Sequence, residues 1–168
     1  MLREGEVATQ WNINHRYIPG VDRAAQYRLT IDYKFDARTT VGWEANGYNQ
    51  LLPRMTWFVT PEAQSMPSVV LGITGDRLST PTGQALFLTF SKRFGPVTPF
   101  AGIKYGLDEQ AVAFPFGVNI SYGDNMFQAI NDGRHTHLIV THSAANGFNF
   151  SFILARMRYP GIGLSYGF

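Results

Sequence analysis

Cysteine is absent from the 168 residues, which excludes a disulfide framework and any thiolate metal site. Charge is scarce too: Asp, Glu, Lys and Arg make up 15% of the chain, against roughly 25% in an ordinary soluble domain. No stretch reaches the roughly 18 consecutive apolar residues of a membrane-spanning helix. Helix signals of any kind are nearly missing, and the one tolerant segment, Pro61-Glu62-Ala63-Gln64-Ser65, is too short for more than a turn. Net charge is only +2, with no Lys/Arg cluster, so nucleic acid is not expected as a partner. The opening Met1-Leu2-Arg3-Glu4-Gly5-Glu6 carries acidic charge and no apolar signal segment. If the protein is exported, this numbering is expected to be that of a mature form or of a fragment.

What the chain has instead is aromatic residues, 14% of the total, and 17 glycines. That mixture suits a wall that partly meets lipid, because aromatics crowd membrane interfaces. Its patterning has a period of two. From Tyr27 to Ala37 every odd position is apolar or aromatic and every even one polar or charged, the mark of a strand with two unlike faces. The same alternation returns in Val41/Trp43/Ala45, Val69/Leu71/Ile73, Leu86/Leu88/Phe90, Ala101/Ile103/Tyr105, Val112 through Ile120, and Phe148 through Leu154.

Twelve strands are expected, over 6–16, 25–37, 40–49, 54–61, 67–77, 84–94, 97–106, 111–121, 125–131, 135–143, 148–157 and 161–168, with ten as the alternative count. At about 9–11 residues per membrane strand, twelve leave only short connections, and no repeat or linker divides residues 1–168 into more than one domain. A two-residue turn at Gly95-Pro96 pairs Phe90 with Ala101 and Leu88 with Ile103. A turn at Arg38-Thr39-Thr40 sets Lys34 opposite Glu44, and one about Tyr159 sets Phe152 opposite Tyr166 and Phe150 opposite Phe168. Pro99 is a warning within its strand, since it donates no ladder hydrogen bond. Short connections also leave no loop to fold inward as a plug.

Which face is wet decides the class. The polar face is sparse in charge and carries both signs, with Arg28, Asp32, Lys34, Asp36, Glu44, Arg54, Asp76, Arg93 and Lys104 set among Thr, Ser, Asn and Gly. That is the character of a polar lumen. Twelve strands would present about fifty large apolar side chains, more than a small barrel interior holds at native packing density. A soluble two-sheet sandwich could bury them and is the structural competitor.

The last apolar positions, Ile162, Leu164, Tyr166 and Phe168, fall on alternate residues up to the aromatic terminus. This resembles the final strand of Gram-negative outer-membrane β-barrels. The resemblance implies an all-β, antiparallel up-and-down transmembrane barrel in the bacterial outer membrane. It further implies that Phe168 ends a strand read by the barrel-insertion machinery. Trp11, Trp43, Trp57, Tyr105 and Tyr166 are expected in interfacial aromatic girdles, not as a stacking surface for nucleic acid or sugar.

Chemistry is thinly signalled. His135-Thr136-His137 could offer two imidazoles to a metal, but no carboxylate follows, so two solvent-reachable histidines just after the turn Asn131-Asp132-Gly133 are the preferred reading. His137 or His142 with Ser143 or Ser151 lacks the third, orienting group of a hydrolytic site. Gly72 through Arg77 lacks the Lys-Ser/Thr of a phosphate loop. No enzyme activity, cofactor or metal is therefore expected. The expected function is a small porin-like channel for small polar solutes or ions, with Arg28, Asp32, Lys34, Glu44 and Lys104 lining the bore. The alternatives are a closed structural or assembly barrel that anchors a partner complex, and a soluble β-protein binding an apolar ligand. Expected partners are the lipid bilayer and the insertion machinery, with an oligomer or larger membrane complex open.

Overall fold

The computed structural model describes residues 10–75 and 83–168. The strands are β1 (Trp11–Tyr17), β2 (Tyr27–Lys34), β3 (Thr39–Asn46), β4 (Leu51–Thr60), β5 (Ser68–Thr74), β6 (Ala85–Ser91) and β7 (Val97–Gly106). They continue as β8 (Ala111–Ala113), β9 (Phe116–Tyr122), β10 (Asn125–Asn131), β11 (Thr136–Ser143), β12 (Phe148–Ala155) and β13 (Tyr159–Gly167). Neighbours in sequence pair antiparallel, and β1 pairs with β13, so the sheet closes on itself. β8 and β9 are one stave interrupted at Phe114-Pro115, both pairing with β7. The result is a closed up-and-down barrel of twelve staves, not ten and not a sandwich. The expected strands 6–16 and 67–77 run at residues 6–9 and 76–77 outside the described residues.

The apolar positions predicted to share a face do so, and they face outward. Phe152 is 55% exposed and Ile162 63%, while three of the four largest fully buried side chains are polar: Glu44, Asn46 and Thr30. The usual order of a soluble fold, greasy inside and charged outside, is reversed. Among the described strands, every Asp, Glu, Lys and Arg (Arg16, Arg28, Asp32, Lys34, Glu44, Arg54 and Lys104) lies on the inward face.

Register follows turn chemistry. The β6–β7 hairpin pairs Phe90 with Ala101 and Leu88 with Ile103, as Gly95-Pro96 predicts. Pro99 sits where β6 has ended. Lys92 N donates to Pro99 O, so the N–H that proline lacks would face the frayed end of the ladder. Two other registers differ from expectation by four residues each. Lys34 lies opposite Thr40, and Glu44 opposite Thr30, because the Asp36 carboxylate accepts from the N–H groups of Arg38 and Thr39 and starts β3 at Thr39. Phe152 lies opposite Ile162, Phe150 opposite Leu164 and Phe148 opposite Tyr166. There the turn is Arg156–Arg158, with Arg156 and Met157 both at φ +53°. Four is even, so each slip keeps every side chain on its expected face.

The strand expected at 54–61 begins earlier, at Leu51, and carries Pro53 within it. Residues 61–65 form no helix, whereas a single turn, α1 (Arg23–Gln26), precedes β2. One glycine is required by its neighbours. A Cβ on Gly42 would lie 2.3 Å from Ile31 O and 2.4 Å from Asp32 Oδ1. This gap lets Arg54 of β4 reach across β3 to Asp32 of β2, at 3.3 Å. Gly42→Ala is expected to destabilise the barrel by about 1–3 kcal/mol through overpacking, read from urea unfolding; a loss within error would refute the close approach.

Candidate functional site: the barrel lumen

The inward positions of β2, β3 and β4 build a charged wall. Arg28 donates to Glu44 Oε2 at 2.7 Å, and Thr74 Oγ1 approaches the same oxygen at 3.2 Å. Arg54 pairs with Asp32 over Gly42. A buried carboxylate without a partner would cost several kcal/mol, so Glu44, only 1% exposed, depends on Arg28. Lys34 lies on the same face of β2 near its end, and Lys104 is buried on β7. Arg28, Asp32, Lys34, Glu44 and Lys104 thus share the inward face of the sheet. Arg16 is a lumen residue missed by sequence reasoning; the alternation Asn12/Asn14/Arg16 signals it, although the outward His15 masks the pattern.

The opposite wall is different in kind. Asn14, Gln128, Thr141, Ser143, Asn149, Ser151 and Ser165 line a cavity of about 440 Å³ together with Arg16 and Arg28. Three short hydrogen bonds tie neighbouring staves: Gln128 to Asn119 (2.9 Å), Thr141 with Ser151 (2.8 Å) and Asn149 to Ser165 (3.1 Å). A second cavity of about 220 Å³ is lined by Lys104, Asp132 and His137 with Phe87, Ile130 and Pro115. Arg16, Ile139 and Ile153 border both cavities, so the two adjoin at these three side chains.

The mouth opposite the chain's terminal rim is partly filled. Ile18, Val21 and Ala25 from the β1–β2 connection pack with Ile153 and Ala155 of the inner wall, joined by Ile139 and Tyr159. Ile18 N donates to Gln26 O, closing the loop at its base, and Arg156 pairs with Asp22 at 3.1 Å. The expectation that no loop folds inward is thus corrected: a connection of ordinary length suffices, because its apolar residues find an apolar ledge just inside the rim.

His135, His137 and His142 fall in three different settings. His135 precedes β11 and is exposed, whereas His137 is buried in the lumen at 4%, contrary to the expectation of two solvent-reachable rings. The Arg156 N–H donates to His137 Nδ1 at 3.2 Å, and His137 Nε2 stands 2.9 Å from Asp132 Oδ2. Both ring nitrogens are thus engaged within the protein, one by a backbone N–H and the other by a carboxylate. His142 faces outward, hydrogen-bonded to Asn125, while Ser143 faces the lumen. Among the described residues no group of three or more His, Cys, Asp or Glu is placed to hold a metal ion.

Asp132 instead organises the β10–β11 turn. Its Oδ1 accepts from the N–H groups of Arg134 and His135. Burial pushes the carboxyl up, but the bonds from His137, His135 and Arg134 outweigh burial and hold it below the ordinary carboxylate range. A depressed folded pKa gives stability that is present above the unfolded value of about 3.9 and lost as pH falls through the folded one. Asp132→Asn should therefore flatten the acid limb of a stability–pH curve; a limb as steep as the parent's would contradict this.

The predicted girdle residues all lie on the outer wall. Trp11, Trp57 and Tyr166 fall near the terminal rim, with Tyr166 stacked between Phe148 (4.4 Å) and Phe168 (5.5 Å). Tyr105 falls near the other rim with Tyr17 and Tyr27, and Trp43 sits at mid-strand in β3. No protein-family model matches the chain, and no curated protein matches it either.

Proposed function

We propose that this chain is a β-barrel of the bacterial outer membrane whose lumen provides a narrow, porin-like path for small polar solutes or ions. The observation that carries the proposal is the inverted distribution of charge. Seven charged strand residues face the lumen, while the outer wall presents Leu, Ile, Val, Phe, Trp and Tyr. Water would penalise that much contiguous apolar surface, and hydrocarbon would not. The aromatic rings near both rims suit the two interfaces of a bilayer. In this reading β13, with Leu164 and Tyr166 on its outer face, is the segment offered to the insertion machinery.

A second reading is favoured by a specific feature. The apolar plug of Ile18, Val21 and Ala25, with the ion pairs of the charged wall, supports a lumen closed at rest and a barrel that serves as an anchor in a larger assembly. Two measurements separate the readings. A membrane barrel in detergent should shift in gel mobility only after boiling; a band unaffected by heat would remove the membrane assignment. In planar bilayers the channel predicts a defined conductance whose ion preference moves toward cations in Lys34→Glu, whereas an anchor predicts silence.

A further inference from the structure

We infer that the larger lumen cavity is a binding site for a small polyhydroxylated solute, of the sugar or sugar-alcohol class. The inference rests on the reading of the lumen as a solute path. Its carrier is the segregation of the inner surface into two walls. On β2–β4, Arg28 is engaged by Glu44 of the next stave and Arg54 by Asp32 across β3, so these charges are committed to each other. On β10–β13 and β1, the wall is built mainly of neutral polar groups, Asn14, Gln128, Thr141, Asn149, Ser151 and Ser165, with Arg16 and Arg28 at the cavity's edge.

Hydroxyl and amide groups both donate and accept. That two-way capacity is the requirement for a ligand whose own groups are hydroxyls, each of them donor and acceptor at once. The pairs Thr141–Ser151 and Asn149–Ser165 hold these side chains in rows across neighbouring staves. The remaining lone pairs and protons of each pair can then be presented to the cavity at fixed spacing. The volume of about 440 Å³ falls in the range of about 300–1,000 Å³ typical of small-molecule sites. Ile139 and Ile153 border the cavity toward the plug, giving one apolar side against which the C–H face of a sugar can lie.

The test uses the full-length barrel in detergent micelles, with sorbitol as probe and 1,6-hexanediol as a comparator of similar length lacking the hydroxyl row. Ligand-observed saturation-transfer NMR reads binding without requiring conduction. Sorbitol should bind, and hexanediol about tenfold more weakly, as the loss of several neutral hydrogen bonds predicts. The double variant Thr141→Val/Ser151→Ala removes both partners of one internal hydrogen bond, a change close to neutral for the fold. It should weaken sorbitol about three- to tenfold while keeping the heat-modifiable band of the folded barrel. Equal transfer to sorbitol and hexanediol, no transfer to either, or a folded double variant that binds as the parent does would each overturn the site. Sorbitol binding by a barrel that conducts nothing supports the site and counts against the path.

Discussion

Val140→Arg, a single charge placed at mid-strand on the outer wall, is expected to cost about 2–4 kcal/mol in a bilayer. Val140 lies between Phe127 of β10 and Phe152 of β12, all outward. In water an arginine there would be welcome, since its head would be solvated and its stem would cover the two rings. In hydrocarbon the guanidinium must snorkel or drag water with it, which is the origin of the cost. Val140→Ala provides the size control and should lose far less. Ser143→Lys provides the parity control: three residues along the same strand, it points into the lumen cavity and should be tolerated, as lumen substitutions generally are. Denaturant titrations of the refolded protein in phospholipid vesicles give all three values. If Val140→Arg proves as stable as Val140→Ala, the outer wall does not meet hydrocarbon.

The parity that this experiment exploits was legible in the sequence, and the reason is physical. A period of two survives any even slip of register, so the errors at the β2–β3 and β12–β13 turns moved pairings by four residues without turning one side chain around. The turns themselves were less legible. Gly95-Pro96 announces its hairpin by composition, whereas Asp36 acts through its side chain on the N–H groups of Arg38 and Thr39, a local bond that competes unseen with several nearby turn candidates. Arg156 and Met157 adopt positive φ without being Gly or Asn, so nothing in their identity marks the turn.

The site was legible by halves for the same reason. Arg28, Asp32, Lys34, Glu44 and Lys104 sit in strands whose alternation is clean, and their direction followed from it. His137 required a contact with Asp132, five residues back through a turn, and a further bond from Arg156 N on the next hairpin. Neither has a period. The plug was hidden by its surroundings: Ile18, Val21, Ala24 and Ala25 are few and irregularly spaced, and they read as connection until the ledge of Ile153 and Ala155 is seen beside them.

That plug carries the other large expected effect. Burying Val21 contributes about 1.5–3 kcal/mol at most. The Asp22–Arg156 pair, with Asp22 75% exposed, contributes under about 1 kcal/mol. A carboxylate forced into the same apolar contact costs several kcal/mol, more than those contributions hold in place. Val21→Glu/Ala25→Glu is therefore expected to drive the β1–β2 connection out of the mouth and raise single-channel conductance severalfold, whereas Asp22→Asn alone should change it little. Both variants leave the twelve staves and their ladder hydrogen bonds untouched, so the heat-modifiable band reports that the barrel has formed in each. An increase confined to the double variant assigns the closure to apolar packing; an equal increase in Asp22→Asn would assign it to the ion pair instead. A folded double variant that stays as silent as its parent would remove the channel and leave the closed, anchoring barrel as the function of the fold.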